Sequence, residues 1–165
     1  MGLGQMLLTI VSTMLLGRVI LTINQSTLLA GQTKDMAEYR ITATSLGTSM
    51  LEQTNGLSFD QITTTMDVLN TSSLTAPSGL GPDGSETLAT YNDIDDYNNY
   101  MKIDSINGSS VFKTRVKVDY VQVTGGTVVT SATQTWSKRV KVYVSSPFLE
   151  DTLVFQSIYS YWFFR

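Results

Sequence analysis

The chain has 165 residues, enough for one domain with an appendage, and carries a net charge of −3 with only 15 % charged side chains, against roughly 25 % in average soluble domains. It has no cysteine and no histidine, which excludes Cys/His zinc sites, thiol nucleophiles and every acid–base scheme built on imidazole. No basic run flanked by aromatics is present, so nucleic acid is not an expected partner, and no enzyme is expected.

Residues 1–23, MGLGQMLLTIVSTMLLGRVILTI, contain no Pro, Asp or Glu, and Arg18 is their only ionised side chain. As a helix this run would extend ~35 Å, about the thickness of a bilayer core, so it can span a membrane. A guanidinium inside such a span costs a few kcal/mol. Arg18 therefore either snorkels to the head-group layer or pairs with a carboxylate of a neighbouring subunit. Gln5, Thr9, Ser12 and Thr13 add polar groups that a lone span would leave to lipid, which favours a bundle of helices. Its core is expected at Gln5, Leu7, Leu8, Val11, Leu15, Arg18 and Val19, with Gly2, Gly4 or Gly17 permitting close approach.

The pattern then changes without breaking. Met36, Tyr39, Ala43, Leu46 and Met50 recur at spacings of three and four and form one apolar stripe, expected to pack on the protein's own head. Lys34, Asp35, Glu38, Arg40 and Glu52 lie opposite. Asn55-Gly56 is the expected stop, since Gly can take the left-handed conformation that closes a helix. This divides the chain into an N-terminal helix, 1–56, and a β-rich head, 57–165, giving an α+β fold class with a long helix on an antiparallel sheet.

Residues 70–84, NTSSLTAPSGLGPDG, read as an exposed loop, because Pro and Gly occur without an apolar period. Asp93, Asp95 and Asp96, with Asn92, Asn98 and Asn99, gather hard oxygen ligands within a short loop. That composition suits either calcium or a loop of Asx turns, and calcium is the one cofactor considered. Sequons begin at Asn24, Asn70 and Asn107, of which Asn70 and Asn107 are the candidates for glycosylation.

From Ser110 the chain alternates, with Phe112, Thr114, Val116, Val118 and Tyr120 against Lys113, Arg115, Lys117 and Asp119, the period of a half-buried strand. Gly125-Gly126 predicts a hairpin turn to a strand over 127–136, followed by strands over 138–144 and 152–164 in a four-stranded antiparallel sheet. Lys113, Arg115, Lys117, Lys138, Arg139 and Lys141 would then share one polar face, either solvated or in contact with an acidic loop of another subunit. In the terminal segment SIYSYWFFR, Tyr159, Tyr161 and Phe163 on one side and Trp162 and Phe164 on the other imply burial of both faces, by the core or by a subunit interface.

An apolar helix continuous with an amphipathic one on a β domain resembles the type IV pilins and the pseudopilins of type II secretion. Residues 43–62, ATSLGTSMLEQTNGLSFDQI, are similar to the pilin-like passage in which small and apolar residues lead to a Leu-Glu pair, here Leu51-Glu52, and then an aromatic-Asp, here Phe59-Asp60. YNDIDDYNNY, residues 91–100, resembles the Asp-rich loop of pilin-like heads. The family usually places a glutamate a few residues into its apolar segment, and Gln5 is the nearest counterpart. The resemblance implies a subunit of a pilus-like bacterial surface filament, with identical subunits, the inner membrane and a pilus assembly machinery as partners. The alternative is a monomeric membrane-anchored surface binding module.

Overall fold

The computed structural model describes residues 2–106, 108 and 110–163, with the backbone alone at Ser110 and Phe163. The protein is α+β. One helix, α1 (Leu3–Asn55), precedes five antiparallel strands: β1 (Met101–Ile106), β2 (Ser110–Thr124), β3 (Thr127–Thr130), β4 (Ser137–Ser145) and β5 (Leu153–Ser160). The chain divides into two compact units, Met1–Arg40 and Ile41–Arg165.

In the first unit α1 buries almost nothing. Leu7, Leu8, Val11, Leu15 and Val19 are all more than half exposed. The threonine hydroxyls of this stretch are satisfied within the helix: Thr9 donates to the Met6 carbonyl at 2.8 Å, Thr13 to that of Thr9 at 3.0 Å and Thr22 to that of Arg18 at 2.9 Å. Back-bonding of this kind lets threonine sit in an apolar environment without an external partner. Thr9 and Thr13 therefore do not argue for a multimer, as their composition alone suggested.

In the second unit, the last turns of α1 bury Ala43, Gly47, Met50 and Thr54, spaced four, three and four apart, and leave Leu46 half-buried. This stripe packs on the sheet. A Cβ placed on Gly47 would collide with the ring of Phe155 on β5, so glycine is what allows the helix this near the strand. Thr54 Oγ1 and the Tyr159 hydroxyl share a hydrogen bond of 2.9 Å, and Tyr159 also donates to the Leu51 carbonyl. Met36, predicted to belong to the packing stripe, is exposed within the first unit, and Tyr39 is half-buried there.

The sheet order is β1-β2-β4-β5, with β3 paired to the far end of β2. The glycines of the β2–β3 turn, Gly125 and Gly126, take φ of 60° and 80°, the paired left-handed geometry that two-residue hairpins need. Registers Val116↔Val142, Val118↔Val140 and Val142↔Phe155 set one row of apolar side chains facing inward. The sheet thus has one strand more than the alternation predicted, and β3 is shorter than the expected 127–136. The run MKIDSI that forms β1 pairs antiparallel with the first half of β2.

The Ser- and Thr-rich loop is not merely a solvated connector. Val68, Leu74 and Leu80 are buried with Phe59, Tyr120 and Tyr161 in one apolar cluster. Tyr161 stacks on Trp136 with centroids 5.1 Å apart, and its hydroxyl accepts from the Val68 amide at 2.8 Å. Burial of both faces does not hold along the whole terminal segment, since Tyr159 and Tyr161 are buried while Trp162 is 54 % exposed. Phe164, the Phe163 side chain and the sequon residue Asn107 lie outside the described residues.

Candidate functional site

Three features are candidates: the apolar face of the first unit, the outer face of the sheet, and an ionic cluster inside the head. On the first, α1 is long and apolar enough to cross a membrane, and none of its apolar window is buried. Gly4, Gln5, Leu8 and Thr9 line a shallow groove of about 460 Å³. Among the described residues, neither the Gln5 amide nor the Arg18 guanidinium has a side-chain partner.

The outer face of the sheet carries Lys113, Arg115 and Lys117 of β2 beside Arg139, Lys141 and Tyr143 of β4, in the registers Lys117↔Lys141 and Arg115↔Tyr143. Arg139 and Lys117 share Asp119, at 3.7 Å and 3.5 Å. The Arg115 guanidinium lies 5.3 Å from the Tyr143 ring centroid. Lys113, Arg115, Tyr143, Ser145 and Thr152 surround a hollow of about 150 Å³. Five of the six predicted cations share this face. Lys138 does not, because it pairs with Tyr120 on the opposite side of the sheet. The period of a strand requires this: neighbours 138 and 139 cannot point the same way.

Lys138 is instead the centre of the third feature. It is 0 % exposed, and its Nζ donates to the Phe59 carbonyl at 2.7 Å, to Asp60 Oδ2 at 2.9 Å and to Asp95 Oδ1. The Phe59 and Tyr120 ring centroids lie 4.8 Å and 5.2 Å from Nζ. Asp60 is further held by the Thr75 amide and hydroxyl, each at 3.0 Å, and by the Tyr120 hydroxyl at 3.1 Å. Its own amide and that of Ile62 complete a capping box with Thr63 at the start of a short turn of helix. A buried cation with that many acceptors is compensated, whereas either partner alone would be costly.

Asp93, Asp95 and Asp96 are all buried in this neighbourhood. Asp93 Oδ1 accepts the amides of Asp95 and Asp96 at 2.8 Å and 3.1 Å, and Asp96 Oδ2 accepts those of Asn92 and Asp93 at 2.9 Å and 3.2 Å. The trio is therefore committed to Asx-type turns and to Lys138. Among the described residues no group of three or more carboxylates converges as metal ligands. Asn70 is exposed, but its side-chain oxygen is engaged, accepting the Ser72 amide at 3.1 Å.

Burial, followed by the neighbouring charges of Asp95 and Asp96, pushes the Asp93 carboxyl up to about 8. Burial likewise raises Asp95, outweighing the opposing pull of Lys138. Asp93 Oδ2 is buried with no hydrogen-bond partner among the described residues, as suits a carboxyl that keeps its proton. Asp60 and Lys138 went unrecognised as a pair because they are far apart in sequence; the only local signal was the parity of Lys138 within β4.

No family model, no curated protein and no solved structure matches this chain. The architecture, a long apolar N-terminal helix with an antiparallel sheet, is pilin-like.

Proposed function

We propose that this protein is a structural subunit of an extracellular pilus-like filament, held in the inner membrane by its apolar helix and then assembled by a pilus machinery into a homopolymer. The observation that carries this reading is the exposure of Leu7, Leu8, Val11, Leu15 and Val19 on a helix that buries none of its apolar window. At ~25 cal/mol per Å² such a surface is strongly driven out of water, and identical helices packed together would hide it in every copy. Gln5 and Arg18 would find partners in neighbouring subunits, and the heads would cover the outside. The lack of cysteine and histidine, which removes thiol and imidazole chemistry, is in keeping with a structural role.

Negative-stain electron microscopy of native material beside a truncated chain beginning at Lys34 tests this. Regular fibres that vanish on truncation support assembly through the helix. Dispersed particles from both would favour a membrane-anchored binding module, a reading to which the basic hollow at Lys113 and Arg115 lends a specific surface.

A further inference from the structure

The surroundings of Lys138 are those of a reaction as well as of an ion pair. Its three acceptors match the three protons of an ammonium, and two of them are carboxylates. Those carboxylates are not equivalent. Asp60 is also held by the Thr75 amide and hydroxyl and the Tyr120 hydroxyl, whereas the side chains beside Asp95 are Lys138 and Asp93. Beside Asp95 stands Asp93, 1 % exposed, with one oxygen lacking any partner among the described residues. Aromatic rings close the site on two sides.

We propose that Lys138 and Asp95 are the site of an intramolecular amide cross-link, formed between Nζ and Cγ with loss of one water. The ammonium first passes a proton to Asp60, leaving a neutral amine, which is the nucleophile. Asp93, as the neutral acid, turns its free oxygen toward the Asp95 carboxylate as the amine approaches, and the hydrogen bond it then donates draws electron density from Cγ. The amine lone pair attacks Cγ, and the C–N bond forms as the C=O π bond opens. On collapse one Asp95 oxygen remains as the amide carbonyl. The other leaves as water, carrying two of the three original ammonium protons, one of them relayed by Asp60. The third stays on the amide nitrogen and donates to the Phe59 carbonyl or to Asp60. Atoms and charge balance: ammonium and carboxylate become a neutral amide and water, with no oxidant or activating group.

Two physical terms favour the step here although it is unfavourable in water. The reactants are held in contact, and well-oriented intramolecular reactions reach effective concentrations on the order of 10⁵–10⁸ M. The interior also penalises the charged reactants and not the neutral product, while the water is released to bulk. The bond would tie the loop before β1 to the middle of the sheet across 43 residues of sequence, in a chain with no cysteine for a disulfide. It lies wholly within Ile41–Arg165 and stands or falls independently of filament assembly.

The test is the intact mass of the folded full-length chain purified in detergent, followed by tryptic mapping with tandem mass spectrometry. The expected result is a mass one water below that of the sequence, no cleavage after Lys138, and a branched peptide joining Asp95 to Lys138. Lys138→Arg should restore the full sequence mass. Asp95→Asn should lose ammonia instead of water and converge on the same cross-linked product. A folded wild-type chain at its full sequence mass, cleaved after Lys138, overturns the proposal, as does a water loss mapped to any other residue.

Discussion

The valines at the centre of the sheet and those of the N-terminal helix meet opposite fates in this protein. In the head, Val116, Val140, Val142 and Val144 are completely buried, whereas Val11 and Val19 of the first unit are about half exposed and Leu8 is 70 % exposed. The same holds for cations. Lys138 is enclosed by acceptors supplied by its own chain, while Arg18 has no partner among the described residues. The head buries a core within one copy, although Ile103, Val123 and Trp162 stay exposed on it. The helix 3–40 has an apolar surface and a cation that a single copy does not satisfy, and this difference locates the requirement for other molecules in the first unit.

Several substitutions would break or sharpen that contrast. The largest effect is expected at Lys138. Lys138→Met leaves Asp60 and Asp95 as buried carboxylates with neither a cation nor a cross-link to hold them, and removing one partner of a buried pair by itself costs about 3–5 kcal/mol. Chemical denaturation of the head should show that loss, with assembly affected only through unfolding. Val11→Asp should do the reverse, since a carboxylate near the middle of a span costs about 2.5–3.5 kcal/mol on insertion scales. Membrane insertion and fibre yield should fall while the near-UV circular dichroism of the head stays as in the wild type.

Gly47→Ala should destabilise the head by about 1–3 kcal/mol, because the added methyl meets the Phe155 ring and either the helix or the ring must shift. A paired Phe155→Leu should recover part of that loss in thermal melts, and no recovery would mean that the close approach is not limiting. A smaller effect is expected from pH. Asp93 has a folded-state pKa of about 8 against an ordinary value of 3.8. Between those values the folded head binds a proton that the unfolded chain releases, so this group makes stability fall as pH rises through the window and level off above it. Asp93→Asn should flatten that slope in melts recorded across the range. At the small end, Lys117→Ala on the outer face should change stability by no more than about 0.5 kcal/mol, as for exposed surface positions generally.

What the sequence disclosed and what it concealed follow from the range of the interactions involved. The helix end at Asn55 and the alternation of β2 and β4 were legible because capping and period two are local. Gly47 was not, since an apolar template passes over a glycine whose value lies in a contact with Phe155 on the last strand. β1 was missed because its short run MKIDSI follows an Asp- and Asn-rich loop and becomes a strand by pairing with β2. The cluster at Lys138 is the clearest case. Composition drew Asp93, Asp95 and Asp96 together as hard ligands, but the fold brings a lysine from β4 and an aspartate from just after the helix to the same place. Only the parity of residue 138 against 139 hinted that this lysine faced inward.

The central claim is that the N-terminal helices of different copies touch one another. Because the chain has no cysteine, a single one introduced at Leu8 reports such contact cleanly, with Val123→Cys on the head as the comparison. Mild oxidation of native surface material carrying Leu8→Cys should give disulfide-linked dimers on non-reducing gels that reduction reverses, with little from Val123→Cys. Monomer alone from Leu8→Cys, in material where the protein is abundant and folded, would contradict assembly through the helix.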